Sequence, residues 1–563
     1  MSTRSHRLTN ATSSNAHSKA HYANASPENS LETGLESSSA AQLEASPGYI
    51  QGHLKWAIAF TASLGAILEV IDTSIVNVAL TDIQANLGAT VSEVGWVVSG
   101  YAIANVILIP LSAWLGDCFG KKTYFVFSMV GFTVASVLCG LSPNLPLLIL
   151  FRILQGLCGG GLLAKAQSIL FETFPPSEQG LAQAVFGIGV IAGPAIGPTL
   201  GGYLTDSVGW RWIFLINLPV GIVAVIMALL FLPQDRSRPS SRSQTVDWAG
   251  IALLIVAVGS FQYVLEEGEQ DDWFQSGLIT QLSVAAAVGL GLFIWRELTT
   301  RSPAVDLRVL RYRSLAAGSI YSGILGLGLY GALFAVPLFA QGVLQFTATQ
   351  TGWLLAPGAL ASAIVMILLG KISSKVDARI LIGLGAVGSA AVMFKLSDIT
   401  PQTGTEDLFM PLVLRGAVTV LMFLPLSLAT LGSLPKAAIA SGSGFYNLTR
   451  QLGGSIGIAL LTTLLQQREA FHKDILLSKI SPYDWATNQR LDQLTGAFRS
   501  GGSDATTAHQ QALLSLEQIV NQQAAVMSYA DVFHFVGVIF LCSLPLLLFL
   551  DKGTSGGKAP AVH

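Results

Sequence analysis

Hydrophobic residues in this chain come in long blocks, with the polar residues gathered between them. From Trp56 onward the blocks fall near residues 56–80, 95–115, 123–141, 145–170, 181–203, 211–232, 246–266 and 277–297. They resume near 315–340, 350–371, 379–396, 409–431, 440–465 and 530–550. Each is close to the ~20 apolar residues that a helix needs to cross a hydrocarbon core about 30 Å thick. The pattern predicts an all-α integral membrane protein with about fourteen spans. Two stretches fall outside it. Residues 1–50 are rich in Ser, Ala and Asn, without a sustained apolar period or the apolar core of a signal peptide, so they read as a disordered tail. Residues 466–528 are polar and rich in Gln, too long for a connector. Within them Leu513, Leu514, Leu516, Ile519, Val520 and Ala524 keep helical spacing, which predicts an amphipathic helix running into the last span. A solvated insertion and a docking surface for an outer partner are equally open readings of that loop. Residues 551–563 form a second short tail.

Composition sharpens the class. Of 563 residues, 51% are hydrophobic and only 11% charged, against about 25% charged in soluble domains. A net charge of −2 gives no basis for binding nucleic acid. Cys118, Cys139, Cys158 and Cys542 form no CxxC pair and no Cys/His cluster, so no metal or redox site is expected. No phosphate-cradling GxxxxGK[ST], no HExxH and no nucleophile elbow is present, so neither an enzyme nor a cofactor is expected. An ion gradient is left as the energy source. Loop charge then sets the orientation. Lys121, Lys122, Arg236, Arg238, Arg242, Arg301, Arg308, Arg311, Arg313, Lys371, Lys375, Arg379 and Lys436 fall on one side of an even number of spans. The acids Glu266, Glu267, Glu269, Asp271, Asp272, Glu406 and Asp407 fall on the other. Because basic loops stay inside, both termini are expected in the cytoplasm and 466–528 outside.

The first block, WAIAFTASLGAILEVIDTSIVNVAL, carries Glu69 and Asp72 three residues apart on one helical face, with Thr73 and Asn77 nearby. A carboxylate at bilayer depth costs about 3 kcal/mol on insertion scales unless it faces a protein interior or a wet cavity. Two readings stand: a polar contact between helices, or a proton site lining a wet path. The fourth block carries Arg152, with Gln155 and Gly156 one turn on, in LFRILQGLCGGGLLAK. A buried Arg cannot be neutralised and needs a carboxylate, a carbonyl or water. Glu69 or Asp72 is its natural partner, as a fixed pair or as a switch.

Other motifs concern packing. In GIGVIAGPAIGPTLGGYL, Gly189, Gly193, Gly197 and Gly201 make a bare stripe that lets another helix approach, while Pro194 and Pro198 would bend the helix. Packing alone and a hinge or seal between bundles both fit. In AWLGDCFGKKTYF, Asp117, the turn residue Gly120, Lys121 and Lys122 can pin two helix ends together. Residues 370–379 repeat that layout, and Arg450 before Gly453, Gly454 and Gly457 echoes the fourth block, which together suggest two duplicated halves.

Taken together, these residues resemble the major facilitator superfamily, and within it the fourteen-span drug:proton antiporters of the EmrB/QacA type, from about residue 54 to 550. Asp72–Leu80 reads as the first-span signature, Asp117–Lys122 as the inner-loop motif, and Arg152 with Gln155 and Gly156 as the fourth-span motif. Gly189–Gly202 matches the fifth-span motif tied to export, and Trp210, Arg211, Trp212, Phe214, Asn217, Pro219 and Gly221 match the start of the sixth span. Ala113, Cys118 and Thr81 depart from the usual Gly, Arg and Pro. The resemblance implies two six-helix bundles, 54–232 and 315–550, rocking about a central cavity, with 246–297 as an extra pair of spans. It implies a proton-driven antiporter exporting amphipathic, often cationic, drugs across the inner membrane of a cell, with Asp72, Glu69 and Arg152 coupling to the proton gradient. It also implies that the loop 466–528 works with a periplasmic adaptor and an outer-membrane channel. Asn77, Trp96, Tyr101, Gln155, Phe334, Phe339, Tyr446 and Arg450 are candidates to line the cavity. A transporter of one metabolite (a siderophore, sugar or organic anion) and a non-transporting membrane scaffold or sensor are the alternatives.

Overall fold

The computed structural model describes residues 52–550, apart from 235–245, 301, 374 and 482. The two expected tails and the basic residues Arg236, Arg238, Arg242 and Arg301 lie outside the described residues. Among the described residues every regular element is a helix. The first half runs through α1 (Leu54–Leu87), α2 (Val91–Phe119), α3 (Lys121–Leu141), α4 (Leu145–Gly159), α5 (Leu162–Thr173), α6 (Pro176–Val208), the short α7 (Trp212–Leu215) and α8 (Asn217–Phe231). Then come α9 (Trp248–Glu267) and α10 (Gly277–Thr299). The second half holds α11 (Arg313–Gly342), α12 (Ala348–Ile372), α13 (Ala378–Leu396), α14 (Thr405–Leu431), α15 (Lys436–Ser478), α16 (Trp485–Ser500) and α17 (Ala505–Cys542). Local chemistry explains several starts. Thr90 with Glu93, and Thr347 with Gln350, close reciprocal capping boxes at α2 and α12. Gly88, at φ 64°, ends α1 in the left-handed conformation that suits glycine.

Among the described residues twelve helices are long and apolar enough to cross a membrane, or thirteen if the bent α6 counts as one. Fourteen were expected. The remaining segment, 440–465, is helical and lies in α15, where Ser441, Ser443, Asn447, Thr449, Arg450 and Gln451 dilute the apolar run. That helix is buried between others rather than turned to lipid, so it tolerates them. At 43 residues it is about 64 Å long, and α17, at 38, about 57 Å. Both outrun a ~30 Å hydrocarbon core. The amphipathic segment predicted at 508–527 lies in α17, but its buried stripe is Ala508, Ala512, Val520 and Ala524, while Leu513, Leu514 and Ile519 are exposed.

The same pairings recur in both halves. In the first, α1 packs on α6 and α8, α2 on α4, and α3 on α4 and α8. In the second, α11 packs on α15 and α17, α12 on α14, and α13 on α14 and α17. The halves meet reciprocally, α6 against α12 and α15 against α2. A staple repeats as well. Lys122 Nζ donates to the carbonyls of Leu229 and Leu232 at the end of α8, each at 2.7 Å. Arg379 Nε donates to the carbonyl of Leu550, beyond α17, at 2.8 Å. A cation on the last carbonyls of a helix satisfies orphan acceptors and the negative end of the helix dipole. The two bases of the turn thus reach away from Asp117: Lys121 pairs with Glu172 of α5 at 2.6 Å.

Two helices organise the seam between the halves. The glycine stripe of α6 lies on α1: a Cβ on Gly189 would come within 2.2 Å of Ile67, on Gly193 within 2.7 Å of Val70, and on Gly197 within 1.9 Å of Ser74 Oγ. Pro194 and Pro198 sit where α6 bends by 47°. Its other face meets α12 through Gly180 against the Gly370 carbonyl and Thr199 against Gly352. Gly197→Val is expected to lower stability by about 1–3 kcal/mol through overpacking against α1. A fall in the thermal midpoint of the purified protein checks this, and an unmoved midpoint would show that α1 and α6 separate freely. The second helix is α9, which is bonded to both halves. Ser99 of α2 donates to Glu267 Oε1 at 2.7 Å, and Gln262 Nε2 donates to Ser455 Oγ of α15 at 2.8 Å.

Candidate functional site

Asp72 points into the first half. Its Oδ2 accepts from Arg152 Nη1 at 2.6 Å, and its Oδ1 accepts from Gln155 Nε2 at 2.8 Å and Asn217 Nδ2 at 2.9 Å. Arg152 also donates from Nε to the Val97 carbonyl at 2.9 Å and from Nη1 to Gln155 Oε1 at 2.9 Å. Its guanidinium lies 4.1 Å over the Tyr101 ring. Asp72 is 0% exposed and Arg152 1%. The cluster takes one residue or more from each of α1, α4 and α8, and it extends through Asn217 to Ser136 Oγ at 3.0 Å. This arrangement satisfies a buried ion pair with neutral donors, which is the condition under which such a pair holds together.

Glu69 is placed differently. A turn away on α1, it faces the seam between the halves. Its Oε1 accepts from Asn105 Nδ2 of α2 at 3.1 Å and its Oε2 from the Leu163 backbone N–H at 2.9 Å. Leu163 is the second residue of α5, so the carboxylate sits at a helix N-terminus, where free N–H groups and the dipole favour an anion. The run Gly159-Gly160-Gly161 creates that N-terminus by breaking α4 from α5. It also lets α2 approach: a Cβ on Gly160 would lie 2.3 Å from the Asn105 carbonyl oxygen. From the second half, Arg450 interacts electrostatically with Glu69 without forming an ion pair, and Tyr330 feels both charges. Glu69 stands fifteen residues after Leu54 and Arg450 fourteen after Lys436, so both lie at the same level of their helices.

Polar bonds close the seam on either side of that level. Toward the starts of α1 and α15, Asn447 Nδ2 donates to Gln167 Oε1 at 2.7 Å, Gln167 Nε2 to Ser427 Oγ at 2.8 Å, and Ser443 Oγ to the Ala164 carbonyl at 2.7 Å. Toward the other end stands the Gln262–Ser455 bond of α9. The wet cleft expected around Glu69 and Asp72 is closed: Glu69 is 6% exposed, and Asp72 is walled off by α4 and α8. A cavity of about 610 Å³ remains below, between the end of α2, residues 302–308 and the start of α15, lined by Trp114, Asp117, Arg308, Ser441 and Phe445.

The candidate lining residues disperse. Tyr101 and Gln155 belong to the buried charge cluster, and Tyr446 and Arg450 to the seam. Trp96 packs on Tyr263 of α9, Phe339 packs on Tyr529 of α17, and Asn77 is exposed. The side chain of Phe334 lies outside the described residues. Asn105, Gln167, Tyr330 and Asn447 were not singled out from the sequence. Arg415 was also passed over, although it is a charge in the middle of an apolar block, the same signal that marked Arg152; it lines a small cavity with Ser362, Ser389 and Thr419. Among the described residues no three His, Cys, Asp or Glu side chains are grouped to hold a metal.

A polytopic helical membrane protein with two similarly paired halves meeting at buried charges is the class that this geometry defines. The chain belongs to the Major Facilitator Superfamily, whose family profile matches residues 62–458. It is 34% identical over 503 residues to the multidrug export protein EmrB of Escherichia coli K12, covering 89% of this chain and 96% of that protein. It is 31% identical to the fatty acid resistance protein FarB of Neisseria gonorrhoeae, over 88% of this chain and 95% of that one. In fold it is similar to the proton:xylose symporter XylE, with a TM-score of 0.54 at 12% identity, covering 89% of this chain and 97% of that structure.

Proposed function

We propose that this protein is a proton-driven antiporter that exports amphipathic compounds by alternating access across the inner membrane of a cell, with both termini in the cytoplasm. One observation carries the reading: Glu69, an acid at bilayer depth on the seam, is held by neutral donors from α2 and α5 and faces a cation from the other half. Such a carboxylate can exchange a proton for a bound cation as the halves move apart, which a fully paired acid cannot do without leaving a charge stranded. The coupling role expected jointly of Asp72 and Glu69 is therefore assigned to Glu69, with Asp72 and Arg152 holding α1, α4 and α8 in place. The bent α6, packed on α1 and on α12, suits a seal between the moving halves. Export is further supported by the names of the relatives, multidrug export and fatty acid resistance proteins. In this reading α16 and the projecting parts of α15 and α17 lie outside, where they offer a surface to a periplasmic adaptor and an outer-membrane channel.

Everted vesicles from a host lacking its own pumps test this. Adding dodecyltrimethylammonium should release protons from energised vesicles, and a protonophore should abolish its uptake. Uptake indifferent to the protonophore would overturn the reading.

A further inference from the structure

We propose that Arg450 binds the carboxylate of zwitterionic amphiphiles, whose ammonium group turns toward Glu69. The inference rests on the reading of Glu69 just given and adds the class of head group that the seam accepts.

The two buried arginines differ in one respect. Arg152 spends its donors on Asp72, Gln155 and the Val97 carbonyl. Arg450 is equally buried, at 1% exposed, and donates from Nη2 to Asn447 Oδ1 at 2.5 Å, but its Nη1 has no hydrogen-bond partner. The hydroxyl of Tyr446, four residues earlier, is also buried without a partner. A buried donor left unmade is costly, and a guanidinium edge takes a carboxylate in a fork of two parallel bonds. Two idle polar groups on one helix, beside a cation, are the complement of one carboxylate.

The surroundings suit the rest of such a molecule. The guanidinium lies 5.3 Å from the Phe423 ring and 5.9 Å from that of Tyr446, and Tyr330 packs on Gly454 one turn further on. These are apolar faces for an aliphatic or aromatic body. The charge of the second half favours the same sign of ligand. Its segment from 315 to 465 carries Arg415 and Arg450 at mid-depth, and its acids fall at helix ends: Asp377 and Asp398 flank α13, and Glu406 and Asp407 lie in the first turn of α14. The acid facing Arg450, Glu69, comes from the other half, so a zwitterion would lie across the seam with each charge against its opposite. The 610 Å³ cavity lined by Phe445 ends about 7.5 Å along α15 from Arg450, and the Asn447–Gln167 and Ser443–Ala164 bonds along that stretch are the ones that must open to admit a ligand.

Two probes with the same tail separate the contributions: dodecyltrimethylammonium, and dodecyl betaine, which adds a carboxylate. Their binding to the full-length protein in nanodiscs is measured for the wild type, Arg450→Gln and Arg450→Lys. The ratio of betaine to trimethylammonium affinity is expected to fall about tenfold or more in Arg450→Gln, with the loss of a charge-assisted fork. Arg450→Lys, which keeps the charge and the fold but not the fork, is expected to fall between. A general disturbance lowers both affinities and leaves the ratio in place. A ratio unchanged in both variants, or a wild type that does not bind the betaine, overturns the proposal. If trimethylammonium still releases protons in that case, the transport reading stands without it; if it does not, that reading falls on its own account.

Discussion

Glu69→Gln is expected to bring substrate-induced proton release down to the background of empty membranes while the protein still folds and inserts. The amide is isosteric and still offers an oxygen to Asn105 Nδ2 or to the Leu163 N–H, so α1, α2 and the start of α5 keep their contact. What it removes is the charge that faces Arg450 and the group that can take up a proton. Drug uptake into everted vesicles driven by an imposed pH gradient measures the effect, with size-exclusion behaviour reporting on the fold. Gradient-driven uptake at the wild-type rate would show that the proton is carried elsewhere.

The second large effect is on stability. Asp72→Ala is expected to destabilise the protein by about 3–5 kcal/mol, because Arg152 would be left buried with its counter-charge gone. Asn217 Nδ2 and Gln155 Nε2 would lose their acceptor as well. Arg152→Met on its own should be similarly damaging, whereas Asp72→Ala combined with Arg152→Met should cost clearly less than the two single losses added, since neither charge is then stranded. Thermal unfolding of the four purified proteins gives the cycle. Strict additivity would mean that the pair is not the unit that the geometry makes it.

Much of this fold was legible in the sequence, for reasons that can be named. An apolar block of membrane length leaves a helix as the only economical backbone, so the helices were readable, the less apolar 440–465 among them. That block is less apolar than the others because Ser443 and Asn447 bond to Ala164 and Gln167 of α5, and a linear pattern does not record which neighbour a helix will have. The buried charges announced themselves in the same way, by standing in apolar surroundings. What the pattern left open was which acid Arg152 takes. Residues three apart on a helix share a face yet differ by about 60° in direction. That angle sends Asp72 toward α4 and α8 and Glu69 toward α2 and the other half. The glycine triplet at 159–161 was visible as composition, but not as the start of a helix aimed at a carboxylate. Trp96 and Phe339 illustrate the same limit: aromatic character says that a residue packs, and only the tertiary arrangement says against what.

The helix α9 is fastened to Ser99 on one side and Ser455 on the other. Any swing that separates α2 from α15 at that level must therefore tear one fastening and spare the other. The choice is not symmetric within α9 itself. The bond to α2 ends on a carboxylate, which holds about twice as hard as a neutral acceptor, and Trp96 of α2 packs on Tyr263. The α15 side has the neutral Ser455 bond and, past the helix end, bonds from Trp273 to Thr463 and from Gln466 to Glu269. The weaker tie to Ser455 should give way first, and α9 with its partner α10 should then ride as passengers of the first half.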